Sequence, residues 1–217
     1  MRATLLIFTL LALWLGGCSG TQKLPNEPGL EPVAGAFDQS VEWDYVGFIR
    51  EALFQNDEHF HCLQVVSIGA TVEAIFIPCV DGDSSVTKKL FHVVALDDVR
   101  AAYGDHREPS SVRVSTRTAD IDDALWRALD TAFWVSVSNA RYNRERRLIA
   151  DGTRYEFVSS RTPIGTRAGS THEPDANSSA GKVVQIARLL GQYADSPLVQ
   201  RTKLRERIMS EAKRIQP

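Results

Sequence analysis

The sequence predicts a single α+β domain, an antiparallel sheet of hairpins packed with amphipathic helices. Three observations carry that prediction. HCLQVVSIG (61–69), TVEAIFIPC (71–79) and KLFHVVAL (89–96) are rich in β-branched and aromatic residues and are bounded by turn-forming clusters. DIDDALWRALDTAFW (120–134) and GKVVQIARLLGQYA (181–194) instead repeat their apolar residues every three or four positions. Asp151-Gly152 sits between two strand-like runs, a strong local hairpin signal.

Taken along the chain, the first helix opens after Ser40, a good N-cap, and shows Val41, Tyr45, Phe48, Ile49 and Ala52 on one stripe. The runs 61–69 and 71–79 meet near Gly69-Ala70 as a hairpin, and Asp81–Ser85 turns the chain into the third strand. SVRVSTRT (111–118) alternates briefly and reads as an exposed or edge strand. In the second helix, Ile121, Ala124, Leu125, Ala128, Leu129, Ala132 and Phe133 form a broad apolar stripe. Asp120 can cap its first turn, while Asp122 and Asp123 suit its positive end. RRLIADGTRYEFVSS (146–160) forms the hairpin about Asp151-Gly152, and Gly169–Pro174 follows as a Gly/Ser-rich loop. Val183, Ile186, Ala187, Leu190 and Tyr193 line the third helix; Pro197 opens a last one with a narrow stripe of Leu204, Ile208, Ala212 and Ile215.

The N-terminus follows other rules. Arg2 precedes an apolar run of thirteen residues, Ala3 to Leu15. About twenty are needed to span a bilayer, so the run has the length of a signal-peptide core instead. Leu15-Gly16-Gly17-Cys18 resembles the lipobox of bacterial lipoproteins. That resemblance implies a diacylglycerol thioether on Cys18, removal of residues 1–17 and acylation of the new amino group. Several acyl chains, at ~0.8 kcal/mol per buried methylene, hold a protein firmly where one chain is marginal. Ser19 resembles the residue of outer-membrane rather than inner-membrane lipoproteins, which implies a domain facing the periplasm. Residues 18–36, with three prolines and three glycines among them, read as a tether, and 37–217 as the domain.

Composition limits the function classes. The chain has 25 Lys and Arg against 27 Asp and Glu, and loss of Arg2 with the signal changes the net charge from −2 to −3. Nothing in that balance favours nucleic acid. With Cys18 lipidated, Cys62 and Cys79 remain, an even number in an oxidising compartment. They end the two strands of one hairpin, equidistant from Ala70-Thr71, so they are expected to face each other. A bridge there contributes ~3 kcal/mol.

Other candidates are weaker. His59 and His61 share a strand face beside Asp57 and Glu58, but His92, His106 and His172 are scattered and no second ligand pair follows. Asp81-Gly82-Asp83-Ser84-Ser85 opens like a calcium loop, yet the twelfth position is His92 where an EF-hand requires Glu. Gly169-Ser170-Thr171-His172 lacks a nucleophile elbow, and Asp97-Asp98 reads as a solvated acidic pair. No metal, cofactor or catalytic residue is therefore expected. Arg144, Arg146, Arg147 and Arg154, with Arg141, Tyr142 and Tyr155 among them, form the densest basic and aromatic cluster. Such a surface suits an anionic envelope ligand or an acidic protein patch.

The segment from Trp126 to Tyr193 resembles an arrangement found among uncharacterised proteobacterial secreted proteins and lipoproteins. Its order is an amphipathic helix with Trp and Phe, a basic stretch, DGTRYEF, a Gly/Ser-rich loop and a closing helix. The resemblance brings no activity and no site residue. The expected function is that of a lipid-anchored, non-enzymatic binding module for a protein or envelope ligand. The alternatives are an inhibitor or immunity lipoprotein acting on a periplasmic toxin or lytic enzyme, and a hydrolase with an unrecognised site.

Overall fold

The computed structural model describes residues 30–32, 41–55, 60–79, 88–141 and 152–215. Seven strands form one antiparallel sheet: β1 (Glu31–Pro32), β2 (His61–Ile68), β3 (Val72–Pro78), β4 (Lys88–Ala95), β5 (Val114–Ile121), β6 (Arg154–Arg161) and β7 (Gly165–His172). Their spatial order is β1-β7-β6-β2-β3-β4-β5. Among the described residues five α-helices accompany them: α1 (Val41–Phe54), α2 (Val99–Gly104), α3 (Asp123–Ser138), α4 (Ser179–Asp195) and α5 (Leu198–Lys213). The α+β fold and the antiparallel sheet are as the sequence predicts. Among the described residues no helix is long and apolar enough to cross a membrane.

The central strands look apolar throughout because both faces of the sheet are covered. Side chains alternate across the pleat. Leu63, Val65, Ile75, Ile77, Leu90 and Phe157 meet Leu125, Leu129 and Phe133 of α3 and Ile186 and Leu190 of α4. On the opposite face Val66, Ala74, Phe76 and Val93 meet Ile49 and Leu53 of α1 and Val99 and Ala102 of α2. The result is three layers with the sheet in the middle. Alpha5 lies outside them, contributing Ile208 and Ala212 to the α3–α4 side.

Both sheet edges are managed. Beta5 is an edge strand, as predicted for 111–118, but it begins three residues later, at Val114, after a 3-10 turn at Pro109–Ser111, and side chains occupy part of its outward backbone. The Tyr193 hydroxyl donates to the Asp120 carbonyl at 2.9 Å, and Arg201 donates to the Thr118 carbonyl at 3.4 Å. Such contacts discourage edge-to-edge pairing. At the other edge Glu31 pairs with Ser170 and Pro32 with Gly169, while the Arg141 amide donates to the Leu30 carbonyl. Leu30 is 2 % exposed. Part of the stretch read as a tether is thus built into the sheet, and the chain joins the domain by residue 30.

Three local readings need correction. Residues 169–172, read as the start of the 169–174 loop, belong to strand β7 (Gly165–His172), which pairs along its whole length with β6. Gly169 explains why no larger residue serves there: a Cβ would lie 3.0 Å from the Leu30 Cβ and 3.3 Å from the Ala140 Cβ. The partners of β6 are β2 and β7, so Asp151-Gly152 does not set its pairing by itself; residues 146–151 lie outside the described residues, as do Ser40 and Asp81–Ser85. Finally, the N-cap of α3 is Asp122 and not Asp120, which belongs to β5. The Asp122 carboxylate accepts from the Leu125 amide at 2.9 Å and takes Arg205 of α5 at 2.6 and 3.0 Å. Asp122→Ala is expected to lower stability by about 1 kcal/mol in urea denaturation, the usual worth of a cap, and Asp122→Asn by less because Asn still caps.

Candidate functional site

The α3–α4 side of the sheet holds a line of polar side chains within otherwise apolar packing. Glu73 on β3 and His92 on β4 occupy inward positions, and both point toward α4. The His92 Nε2 lies 3.0 Å from the Glu73 Oε2, and its Nδ1 lies 3.0 Å from the Asp195 Oδ1. The Ser67 hydroxyl on β2 donates to the Glu73 Oε1 at 3.0 Å. His92 is buried, and Gly191 of α4 makes room for it: a Cβ at that glycine would lie 3.3 Å from the imidazole Cε1.

With a carboxylate against each ring nitrogen, His92 satisfies both only as an imidazolium that donates twice. Burial opposes that charge, but the hydrogen bonds and fields of Glu73 and Asp195 outweigh it and raise the His92 pKa above its ordinary value. Glu73 moves the opposite way. The hydrogen bond from His92 lowers its pKa most, against the opposing effect of burial, and Ser67 and Arg188 add to the lowering. Asp195 is the last residue of α4, where a negative charge meets the negative end of the helix dipole. The imidazolium offsets that conflict. Beside this line the Arg188 guanidinium donates to the Tyr155 hydroxyl at 2.9 and 3.2 Å. A cavity of about 10 Å³ lies between Ser67, Glu73, Tyr155 and Arg188, room for about one water.

The arrangement resembles a relay in composition but not in geometry. A nucleophilic serine needs the imidazole as its base, whereas Ser67 is bonded to Glu73 and His92 has both nitrogens committed to carboxylates. What it does is clamp β3, β4 and the end of α4 together through one buried charge.

The opposite face has its own ionic centre. Glu156 on β6 is 1 % exposed and takes Arg50 of α1 at 2.7 Å and Arg154 at 3.0 Å. This accounts for Arg154, which the sequence assigns to a binding cluster: its guanidinium bonds within the chain. Arg144, Arg146 and Arg147 lie outside the described residues, as do Cys18 and His59.

Cys62 and Cys79 bring their sulfurs to 2.06 Å, disulfide distance, with Cα atoms 4.8 Å apart. The register differs from the expected one. Leu63 pairs with Ile77 and His61 with Pro78, so the ladder shifts at Cys62. A bulge, rather than direct opposition, brings that side chain to Cys79. The Cys79 amide donates to the Phe60 carbonyl at 2.7 Å and closes the end of the hairpin.

Other candidates resolve into structural roles. His61 stacks near Phe54 and Phe76, with ring centroids 5.2 and 4.4 Å away. Asp97 binds Arg113 at 2.8 Å, and Asp98 caps α2 through the Arg100 and Ala101 amides. Among the described residues no group of three His, Cys, Asp or Glu side chains is placed to hold a metal.

A basic and aromatic group missed in the sequence lies where α3 crosses β6 and β7. Trp134 has Arg161 4.8 Å and Arg167 5.1 Å from its ring centroid. Asp130 fixes Arg161 at 2.8 Å, while no carboxylate contact is found for Arg167 among the described residues. Just beyond, residues 162–164 turn the hairpin with every side chain exposed, Ile164 at 64 %. The signal was present in RTPIGTR, a basic residue on each side of an exposed apolar tip, but its meaning depends on a tryptophan about thirty residues earlier.

Compared with protein-family models, with curated proteins and with solved structures, the chain matches none.

Proposed function

We propose that the chain is a lipid-anchored protein of the periplasmic side of the outer membrane, and that it binds a protein or anionic envelope ligand rather than converting a substrate. The observation that carries this reading is the Cys62–Cys79 pair at bonding distance. Paired thiols of this kind persist in oxidising compartments, in keeping with an N-terminus that resembles an export and lipidation signal. The resemblance assigns Cys18 the anchor. Binding is favoured over catalysis because the most concentrated group of reactive side chains among the described residues, around His92, is spent on internal bonds.

Two measurements test the reading. Wild type expressed in a bacterial host is expected to incorporate labelled palmitate, and Cys18→Ser to incorporate none; an unlabelled wild type removes the anchor. Capture from envelope extracts is expected to weaken in Arg144→Glu/Arg147→Glu, and in wild type at high salt, because exposed charges are screened over ~8 Å at physiological ionic strength. Arg154 is left in place because it holds buried Glu156. An identical partner set in both proteins at both salts rejects that basic face.

A further inference from the structure

We propose that the β6–β7 end of the sheet, with Trp134, Arg161, Ile164 and Arg167, rests on the anionic surface of the bilayer that holds the anchor. This deepens the proposed function and rests on the lipidation of Cys18.

The first ground is the length of the connection. Beta1 joins the sheet edge at Glu31, directly against β7. Only eleven residues, 19–29, separate the lipid-bearing position from buried Leu30, and the twelve Cα-to-Cα steps between the two span at most ~43 Å even when fully extended. The β7 edge is therefore on a short lead. Beta5, at the other edge, lies six strand spacings away, roughly 29 Å farther across the sheet. Of the two edges, the one beside the anchor carries the candidate surface; the lead meets β7 at Ser170, six residues or roughly 20 Å along the strand from Ile164 at the tip, which is within its reach.

The second ground is chemistry. Trp134 is half-buried, with an arginine held near its ring on either strand of the hairpin. Tryptophan favours the headgroup level of a bilayer, where its ring is apolar and its N–H finds partners. Exposed Ile164 at the hairpin tip supplies an apolar contact, and residues 162–172 include no acid to repel lipid phosphate. Arg161 is partly neutralised by Asp130, so among the described residues of this surface Arg167 is the charge with no carboxylate contact. Lipid attachment combined with a basic surface gives the two-signal anchoring that holds a domain in one orientation.

The experiment uses the full lipidated chain reconstituted into vesicles of phosphatidylethanolamine with 30 % phosphatidylglycerol, or of phosphatidylcholine alone, each containing a fraction of lipid brominated near the headgroup. Flotation first reports anchoring. Bromine quenching of tryptophan emission then reports contact, and Trp134→Phe identifies the share belonging to Trp134. That share is expected to be quenched at least twofold more on the anionic vesicles, and the excess to be lost in Arg167→Glu and in Ile164→Asp. Both substitutions are at exposed positions, and unchanged far-ultraviolet circular dichroism verifies the fold. Failure of wild type to float removes the anchor and this proposal together. Flotation with no Trp134 quenching, with equal quenching on both vesicles, or with an excess that both variants retain, overturns this proposal and leaves the anchor standing.

Discussion

Phe157→Ala is expected to cost about 3–5 kcal/mol of folding stability, the range for deleting a fully buried phenylalanine. Phe157 is 0 % exposed in β6, near the centre of the sheet. Its ring lies 5.9 Å from that of Phe133, which is equally buried on α3, and 6.4 Å from that of Tyr155. The site has little freedom to collapse after truncation. Beta6 is laddered to β2 on one side and β7 on the other, and α3 is tied at its first turn by Asp122 and Arg205. The void therefore persists, and the loss includes a cavity contribution beyond the transfer of the ring. A domain of this size has about 5–15 kcal/mol in all, so the variant is left near the threshold of folding. Urea denaturation of wild type, Phe157→Leu and Phe157→Ala measures the series. Leucine is expected to lose less than about 1.5 kcal/mol. An alanine effect of that smaller size would mean that α3 does not pack on β6 as described.

The same region shows what local sequence could and could not disclose. Apolar periodicity identifies α3 and α4, because their buried residues follow one stripe against a flat sheet. Strand composition identifies β2, β3 and β4 for a related reason: covered on both faces, they tolerate little polarity. Beta7 fails that test. Its Gly, Ser and Thr residues have turn-like composition, yet β6 and β1 fix it from either side, and small residues let Leu30 and Ala140 approach. Strand preference is a matter of fitting the surrounding surface, and that surface comes from distant parts of the chain.

Register and site depend even more on distance along the chain. The hairpin of Cys62 and Cys79 is legible locally, but the bulge that brings the two side chains together is not. Polar residues at inward strand positions, Glu73 in VEAIFIP and His92 in KLFHVVAL, were a readable anomaly. Their partner Asp195 arrives 103 residues after His92, at the end of a helix. No spacing rule links the three. The same holds for Trp134 with Arg161 and Arg167, whereas Arg144, Arg146 and Arg147 are visible because they lie within four residues of one another.

Replacing His92 by Gln is expected to destabilise the domain by about 3 kcal/mol in mildly acid solution, the lower end for breaking a buried ion pair. The lower end applies because Glu73 and Asp195 keep 33 % and 50 % of their side-chain surface exposed. The pH dependence separates this clamp from ordinary packing. His92 has a folded pKa raised above its ordinary 6.5, so the unfolded chain releases that proton first as pH rises. Its contribution is complete below about 6.5 and is lost as pH climbs through the folded value. Glu73 has a folded pKa lowered beneath its ordinary 4.5 by the bond from His92. Its contribution is complete above about 4.5 and is lost as pH falls through the folded value. The two conditions overlap between roughly pH 4.5 and 6.5, where the carboxylate and the imidazolium are both at full charge in the folded chain. Wild type minus His92→Gln, measured by chemical denaturation from pH 3 to 9, should therefore pass through a maximum in that window and decline on both sides. Cavity formation alone would give a difference that does not change with pH. A flat difference would thus show that His92 is held as a neutral ring, and that Glu73 and Asp195 do not bind it as an ion.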